Sequence, residues 1–189
     1  MENYKVLIIV LGVCYFVFRF LKRKKRTSSL DLDQLTGTLA SKRQQAGKWT
    51  DSRAEVTAVA QTGDLESIQS VIDQAGSVEE RDELFKIAIG QTYYHRSDDK
   101  LADVCESIGL AYVDYFSENF KFLSRKKGYS LHNLGFKYLA IVLTEREKFE
   151  QAASVCQKAI SFNLTDNTKT GYEGRLQRIN KGRGRFQAS

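Results

Sequence analysis

The chain has 189 residues, 42% hydrophobic and 28% charged, with three cysteines and no proline. That length suits one domain with a real core plus shorter appended segments. Its net charge of +6 resembles a nucleic-acid signature, but Lys5, Arg19, Lys22, Arg23, Lys24, Lys25 and Arg26 against Glu2 already supply all of it. Residues 27–189 sum to zero, so a basic nucleic-acid-binding domain is disfavoured.

The first element is an apolar run from Val6 to Phe18, extended through Arg19 to Leu21 and followed by the basic collar Lys22–Arg26. Val6 to Leu21 spans roughly 24 Å as a helix, short of a hydrocarbon core of about 30 Å. Snorkelling of Lys5 and Arg19 and the flanking aromatics lengthens the usable span, giving an anchor over about residues 4–21. A cleaved secretory signal carries its positive charge before the apolar region, whereas here the charge follows it. The stretch Leu11-Gly12-Val13-Cys14 fails as a lipoprotein site because Val13 is bulky and apolar residues continue beyond Cys14. A buried core helix is rarely apolar on every face and then met by five basic residues. The charge asymmetry places the N-terminus outside and residues 22–189 in the cytoplasm. The widely spaced Cys14, Cys105 and Cys156 form no disulfide framework, which agrees with that side. The collar itself attracts anionic lipid, at about 1 kcal/mol per basic residue near the surface.

Residues 27–50, rich in Ser, Thr, Gln, Gly and Lys with scattered Leu30, Leu32, Leu35 and Leu39, read as a flexible or partly helical tether. Residues 51–181 read as all-α, because apolar positions recur at helical spacing and period-2 runs are few. Helices are predicted over Ala54–Gln61 and Leu65–Ala75, broken at Gly63-Asp64, and over Val78–His95 and Leu101–Phe116. Arg96-Ser97-Asp98-Asp99 separates the latter two, with Ser97 or Asp98 as the cap. Further helices are predicted over Leu131–Thr144 and Phe149–Phe162, with a last amphipathic one over Lys169–Lys181 presenting Tyr172, Leu176 and Ile179. Gly182, Gly184 and the alternating arginines predict a basic disordered tail over 182–189.

Helix pairs joined by short turns invite a search for repeats. With Asn133 as the first position, Phe136 falls at the fourth, Leu139 and Ala140 at the seventh and eighth, and Leu143 at the eleventh. Ala152, Cys156, Ala159 and Leu164 then fall at the twentieth, twenty-fourth, twenty-seventh and thirty-second. Residues 133–166 thus resemble a tetratricopeptide (TPR) repeat, with Cys156 and Leu164 in place of the usual aromatic and proline. A second, weaker copy starts at Glu83, with Ile89, Gly90, Tyr93, Ala102 and Gly109 in register and Lys86 and Glu106 where aromatics belong. Gly63-Asp64 resembles the turn of a third, degenerate unit. Residues 117–132 separate the two clearer copies, so the expectation is a TPR-like array closed by the helix near Tyr172 rather than a regular superhelix.

The resemblance implies a scaffold that holds a protein or peptide partner on the inner faces of its first helices. Those positions are Gln91, Tyr94 and His95 in the earlier copy and Lys137, Ile141 and Thr144 in the later one. Of the residues one variant uses to grip a terminal carboxylate, only Lys137 fits, and that specificity is not expected. The layout of anchor and repeats is similar to that of bacterial inner-membrane adaptors, the setting favoured here, and of mitochondrial import receptors.

Catalytic readings are weak. His95 and His132 have no second ligand at metal spacing, and Cys105 and Cys156 fall at core positions of their repeats. Gly182-Arg183-Gly184-Arg185 lacks the lysine and following helix of a phosphate loop. No enzyme activity, cofactor, metal or small-molecule substrate is expected. A second reading gives Lys121, Arg125, Lys126 and Lys127, with Arg175, Arg178, Lys181, Arg183 and Arg185, a role against anionic lipid, RNA or an acidic partner.

Overall fold

The computed structural model describes residues 30–188. The apolar run Val6–Leu21 and the collar Lys22–Arg26 lie outside the described residues. Among those described, no helix is long and apolar enough to cross a membrane. Contacts divide the chain between Lys48 and Trp49. Of the first unit, Leu30–Lys48 is described and is helical.

Seven helices and no strand are present among the described residues: α1 (Leu30–Thr62), α2 (Leu65–Asp73), α3 (Val78–Tyr94), α4 (Asp99–Leu123), α5 (Leu134–Glu145), α6 (Phe149–Ser161) and α7 (Gly171–Gln187). The chain over 30–50, read from composition as a flexible or partly helical tether, is helical throughout. Gly63 stops α1 in the left-handed region at φ +65°, where an L side chain is strained. Asp64 then caps α2 by accepting from the Glu66 and Ser67 amides. Ser77 caps α3 through the Glu80 amide, while the Glu80 carboxylate accepts from Gly76 N–H at 2.8 Å. Asp98, rather than Ser97, caps α4 by accepting from the Lys100 and Leu101 amides. Asn133 caps α5.

Within Trp49–Ser189, α2 packs on α3, α3 on α4, α4 on α5, α5 on α6 and α6 on α7, and α3 also meets α5 directly. The core runs from Val56 and Ala60 of α1 to Tyr172 and Ile179 of α7. Phe136, Leu139, Ala140, Leu143, Ala152, Cys156, Ala159 and Leu164, the positions singled out by repeat spacing, are all buried.

Besides the start of α1, the clearest departures from the sequence reading are at the end of α4, the start of α5 and the end of α7, each for a tertiary reason. Helix α4 runs seven residues past Phe116. Its added turns are held by Phe120, whose ring packs on Phe116 at 5.6 Å and on Phe162 at 4.6 Å. Helix α5 begins at Leu134 rather than Leu131, because the backbone before it pairs with the α6–α7 loop. Thr165 N–H donates to Leu131 C=O at 2.9 Å, and Asn133 N–H to Thr165 C=O at 3.2 Å. Helix α7 continues through both glycines to Gln187, so the expected disordered tail is helical up to there. Phe186 packs on Phe149 at 5.8 Å, and Arg183 donates to Glu150 at 2.6 Å.

Candidate partner-binding face

The side-by-side placement of α3 and α5 brings the two predicted sets of face residues onto neighbouring helices. Tyr94, in the last turn of α3, is 68% exposed. Its hydroxyl lies 3.3 Å from that of Tyr138 on α5. Tyr138 in turn stacks on Tyr93, with ring centroids 4.0 Å apart and planes within 10°. Burial pushes the Tyr138 phenol up to about 12, helped by its bond to Tyr94, and it raises Tyr93 as well. The stacked Tyr93 and Tyr138 rings therefore stay neutral across the physiological range.

Arg96 closes the other side of this cluster. Its guanidinium sits 4.1 Å from the Tyr93 ring centroid and donates to both carboxylate oxygens of Glu145, at 2.8 and 3.0 Å. A two-pronged pair with a stacked guanidinium fixes Arg96 more firmly than a single contact would. The Glu145 bond raises Arg96 above its ordinary value, outweighing burial.

Glu145 also lines a cleft of about 260 Å³ between α5 and α7, with Ile141, Thr144, Arg175, Arg178 and Ile179. Ile141 and Thr144 thus reach one site, while Tyr94 connects to it through Tyr138, Tyr93, Arg96 and Glu145. The Thr144 hydroxyl donates to Ala140 C=O at 2.6 Å, so its donor is already spent within the helix. Arg175 donates to buried Asp166 at 2.8 Å, yet its Nε is buried without a partner. Gln91 and Lys137 are half-buried on α3 and α5. His95 is the exposed C-cap of α3. Nearby Asp98 spends its carboxylate on the Lys100 and Leu101 amides.

Sequence spacing picks out Tyr94, Ile141 and Thr144 as face residues but misses Tyr138, Arg96 and Glu145. The first falls at a position to which the repeat spacing assigns no role, and the ion pair links residues 49 apart. Arg175 and Arg178 belong in the sequence to a basic set read against anionic lipid, RNA or an acidic partner, and only the placement of α7 sets them in a cleft.

Other chemistry is sparse. Cys105 and Cys156 are buried and free, and burial pushes both thiols up to about 11. A neutral buried thiol is a poor nucleophile. Among the described residues, no group of three His, Cys, Asp or Glu side chains converges as a metal site. No family model, curated protein or solved structure matches the chain.

Proposed function

We propose that the protein is a membrane-tethered adaptor that holds a protein partner on the face built by α3, α5 and α7. One observation carries this reading. The aromatic group Tyr93–Tyr94–Tyr138 continues through Arg96 and Glu145 into a cleft floored by Ile141 and Ile179 and flanked by Arg175 and Arg178. An exposed aromatic held in place by its neighbours, beside an apolar cleft with a few oriented charges, suits recognition at low ordering cost. Buried repeat positions and the pairing of α3 with α4 and of α5 with α6 support a TPR-like array with α7 as its cap. The segment Val6–Leu21 serves as a single-pass anchor and Lys22–Arg26 as its cytoplasmic collar, with the N-terminus outside and the helical domain in the cytoplasm. A bacterial inner membrane is the favoured setting. The role is binding rather than catalysis.

The test is extraction and copurification. The full chain should stay with membranes at alkaline pH and bring down a discrete partner. Tyr94→Ala combined with Lys137→Ala should reduce that partner at least tenfold, whereas Lys158→Ala, on α6 and paired with Asp114 of α4, should not. Recovery of the chain in the soluble fraction would overturn the tether, and equal recovery of the partner with both variants would overturn the face.

A further inference from the structure

Many cations of the helical domain are matched to a carboxylate on another element. Arg96 meets Glu145, Arg146 meets Asp103, Lys148 meets Glu106, Lys158 meets Asp114, and Arg183 meets Glu150. The end of α4 and the turn beyond it break this pattern. Lys121, Arg125, Lys126 and Lys127 occur within seven residues that contain no acid. Lys126 pairs with Glu79. Lys121, Arg125 and Lys127 are exposed and make no ion pair among the described residues. Amid them stands Phe122, 46% exposed, with the Lys126 ammonium 5.1 Å from its ring centroid. Leu131, 42% exposed, lies at the far end of the same connection. A lysine in the last turn complements the helix dipole, which accounts for Lys121 but not for the cations past the helix end.

We infer that this Lys121–Lys127 patch docks on an anionic lipid surface, with Phe122 entering the headgroup region between its flanking cations. The patch is strongly basic although residues 27–189 as a whole are neutral, and this local charge is what complements an anionic surface. An exposed aromatic framed by unpaired lysine and arginine combines apolar insertion with attraction to anionic headgroups. Its neighbour Phe120 is turned inward onto Phe116 and Phe162, so leaving Phe122 outside costs the domain no core contact. This surface is separate from the α3–α5–α7 face and does not depend on it.

The test uses the full chain carrying Trp49→Phe and Phe122→Trp, so that the new indole reports on the patch alone. It is mixed with vesicles of phosphatidylcholine, or of phosphatidylcholine with phosphatidylglycerol, and separately with single-stranded RNA. The expected result is a blue-shifted emission with the anionic vesicles only, reversed by high salt. Each unpaired cation contributes about fivefold, so Lys121→Gln, Arg125→Gln and Lys127→Gln together should lower the docked-to-free ratio roughly a hundredfold. Lys121→Arg with Lys127→Arg should retain it, and an unchanged thermal midpoint will show that the variants remain folded. Identical emission with both vesicle types would overturn the inference, as would a shift with RNA and none with anionic vesicles. Flotation of the chain with phosphatidylcholine vesicles reports on the N-terminal anchor independently, so failure of the tether and failure of the patch are separable.

Discussion

Asp166 is fully buried, yet it is held below the usual carboxylate range. Burial alone would raise it. Hydrogen bonds from the Thr168 amide and hydroxyl, at 3.0 and 2.6 Å, together with the Arg175 guanidinium, overcome that cost. Removing one partner of a buried pair strands the other, so Asp166→Ala should lose about 3 kcal/mol in denaturant unfolding. A carboxyl whose folded pKa is depressed contributes stability above its unfolded pKa and loses it as pH falls further. The stability difference between the parent and Asp166→Asn should therefore be full above about pH 4 and shrink below it. A second buried network centres on Tyr112, which donates to Asp82 at 2.9 Å and accepts from Asn133 at 2.7 Å. Tyr172 of α7 adds to it by donating to Asn133 C=O at 2.8 Å. Neither network shows in the sequence, because Asp82, Asn133 and Asp166 look there like ordinary surface or turn residues. Their burial depends on which helices meet.

At the scale of elements, α4 and α5 approach closely where glycine leaves room, most tightly at Gly135. A Cβ on Gly135, in the first turn of α5, would fall 2.5 Å from Cε1 of the Tyr112 ring. That ring is pinned by its two hydrogen bonds and cannot swing away cheaply. Gly135→Ala should cost about 2 kcal/mol by overpacking, measured as a lowered urea midpoint with an unchanged slope. An effect within a few tenths of a kcal/mol would mean that the crossing is looser than the contacts imply. Most helices were legible from periodicity and caps, since Asp64, Asp98 and the Gly63 turn act locally. The end of α4, the start of α5 and the course of α7 were not. Each is set by a partner distant in sequence: Phe162 for α4, Thr165 for α5, and Phe149 and Glu150 for α7. Glycine at 182 and 184 argues for a helix end on propensity alone, and the docking of Phe186 and Arg183 outweighs it.

For the whole molecule, the candidate face was half legible. Repeat spacing places Tyr94, Lys137, Ile141 and Thr144 on adjoining helices, and α3 and α5 do pack together. The residues that hold Tyr94 in place and build the cleft come from long-range contacts, which spacing alone does not encode. The proposed adaptor engages its partner on the α3–α5–α7 side of the domain and not on the side where Lys158 of α6 meets Asp114 of α4. A photo-crosslinking amino acid placed singly at Tyr94, Lys137, Arg178 and, on the other side, Asp114 or Lys158 of the full chain in native membranes tests it most directly. The expected result is one shared adduct from the first three positions and none from the last two. Adducts of equal yield from both sides, or from Asp114 and Lys158 alone, would contradict it.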